Sequence, residues 1–381
     1  MIEAFFDWLL LPLGVILGWA LARSGRAAGA STTAHRDALA GLSSLARDNA
    51  DQAIAALSRA VEVEPGAVEL QLTLGGLFRK RGEIDRAIRL HEAVLARPKL
   101  SPAEAEMARY ELAQDYLKAG LMDHAERLLL DLVETAARPA ALELLLEVYE
   151  QGREWNRAIE TARHLQSARG QSLAPQIAHY YCELAESARA AGDTAAAARH
   201  FERALEEDRD CVRASLGQAA LAEAAKDWPG AIRAYWRALR QDGRFFPDVA
   251  PALERCYREA GDAQAYAQFL EEAETAFPDS AAPALAKARW LQAQGQRVRG
   301  YLAPHLGRKP TREGLLLWLD GGAEEDAAPA SLQPFLAALR QSLRRCPRYA
   351  CRTCGLTPQA LYWQCPGCRR WGSIAPVEET L

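Results

Sequence analysis

An internal repeat constrains this chain of 381 residues more than any other feature. From about residue 36 to about 320, short amphipathic segments alternate with Gly-Asp or Gly-Glu turns, and hardly any stretch alternates as a strand does. The segment 82–95 aligns with 192–205, sharing its glycine, its alanine and its closing apolar pair. That alanine recurs at positions 53, 87, 125, 158, 197 and 231.

A spacing near 34 residues is typical of tetratricopeptide repeats, in which each unit is a pair of helices. The alanine suits this architecture, because the two helices of a unit cross closely and a bulky side chain would separate them. Tyr266 occupies the corresponding position of a seventh, degenerate unit. The sequence therefore predicts an all-α solenoid of about seven to eight units over residues 36–322.

Such arrays present a concave groove built from the first helices of successive units, and this groove commonly binds protein partners. Seven side chains occupy first-helix positions that would face the groove: Arg79, Lys80, Tyr110, Gln114, Lys118, His179 and Arg189. The alternative is that each is an ordinary solvated residue. As a set, they predict a protein-binding surface.

The N-terminal segment 1–22 is close to the ~20 apolar residues that a membrane-spanning helix needs. Arg23 and Arg26 follow it, so the positive-inside rule places the rest of the chain in the cytoplasm. A secretory signal peptide fits less well, because its basic residues would precede the apolar run. We expect a retained anchor over 1–22, with a short linker over 23–35.

Two C-x-x-C pairs near the C-terminus give the sharpest chemical signal. Cys351, Cys354, Cys365 and Cys368 have the spacing of two knuckles whose thiolates converge on one tetrahedral metal ion. The spacing does not choose between iron and zinc. We expect a metal module over 346–381, joined to the repeats by a hinge and a helix over 323–345. Cys346 would be a free thiol, and Cys182, Cys211 and Cys256 would be buried as small apolar residues.

The module is rich in arginine and in large aromatic residues. Seven arginines and no acidic residue lie between 340 and 370. They could compensate the thiolate charge, contact an acidic protein surface such as the chain's own repeats, or bind nucleic acid or lipid headgroups. We expect the aromatic side chains to form a miniature core over the metal: Tyr349, Tyr362, Trp363 and Trp371.

Composition and motifs argue against two broad classes of function. The net charge of −4 gives no whole-chain argument for nucleic-acid binding. The seven histidines never pair at ligand spacing, and the sequence has no phosphate loop, G-x-S-x-G or H-E-x-x-H motif. A binding protein that is not an enzyme is the preferred class. A membrane-tethered electron carrier and a zinc ribbon that binds nucleic acid are the alternatives.

The order of anchor, repeats and four-cysteine module resembles the lipopolysaccharide assembly protein B family. Four local strings carry this resemblance: 72–91, 179–185, 347–355 and 361–369. The resemblance covers essentially the whole chain, and region 281–345 matches least.

The resemblance implies an adaptor in the inner membrane of Gram-negative bacteria, with a single span and the bulk of the chain on the cytoplasmic side. Its implied partners are a membrane-bound AAA+ protease and the deacetylase of the lipid A pathway, whose degradation it would promote. Other inner-membrane regulators of lipopolysaccharide and a homo-oligomer remain open. The resemblance favours one iron ion in the four-cysteine site, with zinc as the alternative.

Overall fold

The computed structural model describes residues 50–320 and 333–377. The predicted anchor and linker and the first part of the hinge lie outside these residues. Within the described ranges, no helix combines the length and the apolar character needed to cross a membrane. The chain divides into two compact units between Gly170 and Gln171.

All the regular secondary structure in the described residues of the first unit is helical. Its helices are α1 (Ala50–Val63), α2 (Val68–Arg81), α3 (Ile84–Leu95), α4 (Pro102–Ala119), α5 (Met122–Leu132), α6 (Arg138–Gly152) and α7 (Trp155–Arg169).

The second unit continues with helices and ends in a small strand pair. Its helices are α8 (Ala174–Ala190), α9 (Thr194–Glu207), α10 (Val212–Ala224), α11 (Trp228–Gln241), α12 (Phe246–Glu259), α13 (Ala263–Ala276), α14 (Ala282–Ala293), α15 (Arg299–Arg308), α16 (Arg312–Asp320) and α17 (Gln333–Arg345). A 3₁₀ turn, Gly243–Phe245, links α11 to α12. Strands β1 (Tyr349–Cys351) and β2 (Ile374–Pro376) pair antiparallel.

The recurring alanines lie where the repeat predicts. All six fall in the second helices α1, α3, α5, α7, α9 and α11, and all six are fully buried. Tyr266 takes the corresponding place in α13 and is also buried. Cys182, Cys211 and Cys256 are buried as expected.

Glycine serves the same close packing from the first helices. A Cβ atom on Gly75 of α2 would lie 2.2 Å from Nε2 of His91 in α3. In the same way, a Cβ atom on Gly217 of α10 would lie 2.2 Å from the Phe201 ring in α9. Each glycine therefore makes room for a ring from the neighbouring second helix.

The Gly-Asp turns that mark the repeat have a simple structural basis. Gly192 adopts a φ of +82°, which favours glycine. Asp193 then caps α9, accepting a hydrogen bond from the Ala196 N–H at 2.8 Å. Gly261 and Asp262 repeat this arrangement before α13. One dipeptide thus ends one helix and begins the next.

Candidate metal centre and its docking surface

The four cysteines of the two C-x-x-C pairs converge on one point. Their Sγ atoms all lie within 4.8 Å of one another. The Sγ atoms of Cys351 and Cys368 are 3.7 Å apart, and those of Cys354 and Cys365 are 3.6 Å apart. A tetrahedral site with metal–sulfur bonds of about 2.3 Å has sulfur–sulfur edges of about 3.8 Å. The four side chains therefore fit a tetrahedral metal ion.

Each knuckle is followed by a residue in the left-handed region. Gly355 has a φ of +75° and follows the first pair, as its position in the sequence suggests. The second pair is followed by Arg369, with a φ of +59°. The peptide N–H of Gly355 donates to the Cys351 carbonyl, and that of Arg369 donates to the Cys365 carbonyl. Both turns thus close on the first cysteine of their pair.

The thiols differ in how readily they ionise. The hydrogen bond that joins the Cys351 sulfur and the Ser373 hydroxyl, 3.3 Å apart, is the main cause that lowers the pKa of Cys351 to about 5. The backbone N–H of Leu356 lowers the pKa of Cys354, but burial and the neighbouring thiols outweigh it and raise that pKa to about 11. Binding of a metal ion would supply the charge that lets all four thiolates coexist.

Cys346 does not belong to the metal set. The guanidinium Nη1 of Arg312 lies 2.6 Å from its Sγ, and the thiol also approaches the Ser342 carbonyl. Among the described residues, the four predicted cysteines are the only group of three or more His, Cys, Asp or Glu side chains placed so that they could hold a metal ion. The exclusion of Cys346 from the site agrees with the expectation of a free thiol, which follows because four ligands already fill a tetrahedron.

The module packs against the repeats of the second unit through its aromatic rings. Trp371 stacks on His179 of α8 with ring centroids 5.4 Å apart. Trp363 stacks on Phe245 of the 3₁₀ turn with centroids 5.8 Å apart. The guanidinium of Arg213 lies 5.9 Å from the centroid of Trp363. We call these five side chains the docking surface.

This arrangement corrects the predicted miniature core. Tyr349 does join the buried cluster around the cysteines, together with Cys351, Cys365 and Ile374. Trp363 instead packs against the core of the repeats, and Tyr362 is half exposed. The expectation was wrong for these rings because a short module without helical or strand periodicity gives no sign of which face each ring takes.

One carboxylate of the repeats holds the start of the module. Asp248 of α12 accepts a hydrogen bond from the Arg348 guanidinium at 2.5 Å. The Tyr349 hydroxyl lies 3.1 and 3.2 Å from the two oxygens of the same carboxylate. Arg340 of α17 pairs with Asp320. For Arg348, the interpretation that the arginines contact the chain's own acidic residues is confirmed.

Gly372 brings the module close to α8. Its φ is +60°, and a Cβ atom placed on it would lie 2.8 Å from Nε2 of His179. Any larger residue would meet both backbone strain and a steric clash. Sequence reasoning missed Gly372, since a single glycine beside an aromatic residue carries no distinguishing pattern.

The seven predicted partner-binding residues lie in different environments. Arg79 is mostly buried, and its guanidinium donates to Asp115 at 2.7 Å, Glu111 at 2.7 Å and Gln114 at 3.2 Å. Asp115 is fully buried and also pairs with His91. Arg79 and Gln114 therefore join α2 to α4 within the first unit. Their partner-binding role stays a prediction.

The remaining five predicted residues are also unlike one another. Lys80, Lys118 and Arg189 are exposed, and Arg189 pairs with Glu186 of its own helix at 2.6 Å. Tyr110 is partly buried, and burial raises the pKa of its hydroxyl. His179 is buried beneath the metal module. The exposed cations are the ones available to an external partner.

Comparison with known proteins supports both the repeat array and the metal module. Residues 349–376 match the rubredoxin metal binding domain, and residues 38–105 and 182–244 match the tetratricopeptide repeat. Lipopolysaccharide assembly protein B of Escherichia coli strain K12 is 32% identical over 385 residues, covering 99% of this chain and 98% of that protein. The chain belongs to the lipopolysaccharide assembly protein B family.

A second family member, from Haemophilus influenzae, is 30% identical over 394 residues and covers 99% of this chain. Among solved structures, the MamA protein covers 47% of this chain at 21% identity, with a TM-score of 0.37. The assignment to the lipopolysaccharide assembly protein B family rests on the nearly full-length sequence matches.

The docking surface should make stability depend on pH. Burial, and next the charge of Arg213, lower the pKa of His179 to about 3, against about 6.5 in an unfolded chain. The unfolded chain then binds more protons, so the free energy of unfolding falls as pH drops from about 6.5 towards 3. At about pH 5 the expected loss is about 2 kcal/mol.

Urea unfolding of the wild-type protein and the variant His179→Phe, at about pH 7.5 and about pH 5, measures this effect. The variant keeps a ring against Trp371 but cannot titrate. Its stability should fall less with acidification. Parallel profiles for the two proteins would contradict a titrating role of His179.

Proposed function

We propose that this chain is a non-catalytic, membrane-anchored adaptor that regulates lipopolysaccharide assembly. The proposal rests on the similarity over 99% of the chain to proteins named lipopolysaccharide assembly protein B. A repeat array ending in a metal module is consistent with it, because such arrays generally bind other proteins along an extended surface. Its role would be to bring two other proteins together.

The partners in this proposal are a membrane-bound AAA+ protease and the deacetylase of the lipid A pathway. The repeats would hold the deacetylase, and the apolar segment 1–22 would confine the complex to the inner membrane, with residues after 22 in the cytoplasm. Confinement raises the effective concentration of the captured protein beside the protease without any new contact. Contacts with other inner-membrane regulators, or with a second copy of the chain, are compatible with this scheme.

The metal module would act as a structural clamp. Its four thiolates, Cys351, Cys354, Cys365 and Cys368, would hold one metal ion, which we propose to be iron, with zinc as the alternative. When bound, the ion neutralises thiolate charge and fixes the two knuckles. Trp363 and Trp371 would then hold the repeats of the second unit in one arrangement for the partner.

The tethering step can be tested by removing residues 1–22. Cells lacking the native protein would receive the full chain, the truncated chain, or a chain whose residues 1–22 are exchanged for an unrelated single-span anchor. The half-life of the deacetylase is then measured after synthesis is stopped. We expect normal turnover with the full chain and the exchanged anchor, and a several-fold longer half-life with the truncated chain.

The exchanged anchor is the control that separates tethering from a sequence-specific contact in the membrane. Normal turnover supported by the truncated chain would contradict the tethering role. Failure of the exchanged anchor alone would show that residues 1–22 themselves contact a partner.

Exposed cations of the first unit offer a test of partner capture. In this proposal Lys80 and Lys118 face acidic groups of the deacetylase. The double variant Lys80→Glu, Lys118→Glu would place negative charges opposite those groups, so we expect it to bind the deacetylase about ten-fold more weakly. Lys99→Glu, an exposed loop position of the same unit, is the matched control. Equal affinity of the double variant and the control, measured with purified proteins, would exclude these two residues from the interface.

A further inference from the structure

Two thiols outside the metal centre lie side by side next to the docking surface. The Sγ atoms of Cys182 in α8 and Cys211 are 3.9 Å apart, and both residues are buried. Cys211 is the N-cap residue of α10. We propose that these two cysteines are an oxidation site, at which a peroxide converts the two thiols into a disulfide. This inference goes beyond the adaptor function and does not depend on it.

The placement of the two sulfur atoms suits a disulfide. The S–S bond is about 2.05 Å long, so the atoms have to approach by about 1.9 Å. Both atoms end short side chains, and the helices α8 and α10 are in contact. Within the described residues, no other two thiols outside the four-sulfur group are in contact, since Cys256 contacts Glu223 and Cys346 contacts Arg312.

The two thiols differ in how readily they ionise. The hydrogen bond with Cys182 is the main cause that lowers the pKa of Cys211, and the N–H of Ala214 and the charge of Arg213 lower it further against the effect of burial. The same hydrogen bond, and next burial, raise the pKa of Cys182. Because the thiolate is the form that attacks a peroxide, Cys211 is the nucleophile and Cys182 is the thiol that reacts second.

Access to the two sulfur atoms follows the same order. Cys211 is 4% exposed and belongs to the lining of a cavity of about 390 Å³ between the metal module and the repeats of the second unit. Cys182 is fully buried. A cavity of this size admits several molecules as small as water, and hydrogen peroxide has only two heavy atoms. The oxidant therefore meets Cys211 before Cys182.

The reaction has two steps. The Cys211 thiolate attacks one oxygen of hydrogen peroxide, so that an S–O bond forms, the O–O bond breaks, and the departing hydroxide takes a proton from solvent to become water. The sulfur of Cys182 then attacks the sulfenic acid on Cys211. The S–S bond forms, the S–O bond breaks, and the hydroxyl leaves as water with the Cys182 proton. The two thiols are oxidised, and one peroxide is reduced to two molecules of water.

The disulfide would join two successive repeats beside the metal module. Cys182 lies three residues after His179, and Cys211 lies two residues before Arg213. His179 and Arg213 both contact aromatic rings of the module. Drawing the two sulfur atoms together therefore moves the backbone or the side chains that support the docking surface.

Peptide mapping of the full-length protein, purified in detergent and freed of reductant, tests the site. The folded protein is treated with hydrogen peroxide, then unfolded in the presence of N-ethylmaleimide, digested and analysed by mass spectrometry. We expect a peptide pair linked through Cys182 and Cys211, which dithiothreitol separates. Cys211 should lose its free thiol about ten-fold faster than Cys256, because burial and Glu223 raise the pKa of Cys256 to about 12.

Two variants separate the roles of the thiols. In Cys182→Ser the second thiol is missing, so the sulfenic acid should persist on Cys211 and be trapped by dimedone. Cys256→Ser changes another buried cysteine of the same unit and is the matched control. It should form the disulfide as the wild type does. The mapping of the wild-type protein decides the matter even where a variant folds poorly.

Three results would overturn the assignment. One is the absence of the linked peptides after the half-exposed Cys346 has been oxidised, which shows that the peroxide was active. Another is a disulfide from Cys182 or Cys211 to a different cysteine. The third is a link that forms only when the chain has first been unfolded in urea. None of these measurements involves the protease or the deacetylase, so failure of this site and failure of the adaptor proposal are separate results.

Discussion

The double variant Cys351→Ser, Cys354→Ser will lose its metal ion and the fold of residues 349–376. Serine hydroxyls do not replace thiolates as ligands, and the two remaining cysteines cannot complete a tetrahedral site. In small metal modules the metal supplies apparent free energies on the order of 10 kcal/mol, which is the folding energy of the unit itself. Among the described residues, the buried cluster of this module contains only four members besides partly buried neighbours.

Metal analysis and hydrogen exchange would measure both parts of this prediction. The wild-type protein should contain one metal ion per chain and the variant none, and its visible absorption will distinguish iron from zinc. Exchange in 349–376 should become fast. Exchange should also rise at Phe245 and in α8, because their aromatic contacts with the module are lost.

Cys346→Ser is the matched control, since Cys346 lies five residues before Cys351 and outside the four-sulfur group. It should keep the metal and the exchange pattern of the wild type. Full metal content in the double variant, or unchanged protection of 349–376, would contradict a structural metal centre.

Gly372→Ala will loosen the packing of the module against α8 while leaving the metal bound. The new Cβ atom would lie 2.8 Å from Nε2 of His179, in a residue whose φ is +60°. The left-handed conformation costs a non-glycine residue about 1–2 kcal/mol, and crowding a packed interface typically adds about 1–3 kcal/mol. The crowding acts on the contact between Trp371 and His179, an aromatic pair that contributes about 1 kcal/mol beyond its buried area, so this contact and the neighbouring one between Trp363 and Phe245 should loosen.

The readout is hydrogen exchange at α8 and at the 3₁₀ turn Gly243–Phe245, measured beside the metal content. Faster exchange at both places with one metal ion per chain is the expected result. Gly367→Ala, in the second knuckle, is the control, because its nearest neighbour would be Cys354 Sγ at 3.5 Å and its φ is not positive. Wild-type exchange in Gly372→Ala would show that the interface tolerates the methyl group.

The repeat could be predicted because it rests on local rules that recur many times. A buried alanine in each second helix and a Gly-Asp turn between helices are properties of short segments, and both are visible in the letters. The four metal ligands are equally local, since the chemistry of a knuckle is contained in four consecutive residues. The two strands beside the cysteines could not be predicted in the same way. Each contains only three residues, 349–351 and 374–376, which is too short to show the alternation of a strand.

What escaped prediction depends on contacts between distant parts of the chain. Arg79 has the sequence position of a groove residue, but its main partner, Asp115, lies 36 residues further on in the next repeat. His179 was predicted to face a partner, and the structure places the chain's own Trp371 against it. No periodicity relates a ring in the module to the histidine that receives it.

The hydrogen bond between Arg348 and Asp248 joins residues 100 positions apart, and it has a consequence for the order of folding. Helix α12, which carries Asp248, leaves the ribosome well before the cysteine pairs do. The repeats of the second unit can therefore form while the surface for the module is still uncovered. If the module folds only with its metal ion, as we propose, closing that surface waits until the metal has been captured. Metal supply would then set the pace of the last step in maturation, and a chain made under metal starvation would present Phe245 and His179 to the cell's proteases and chaperones.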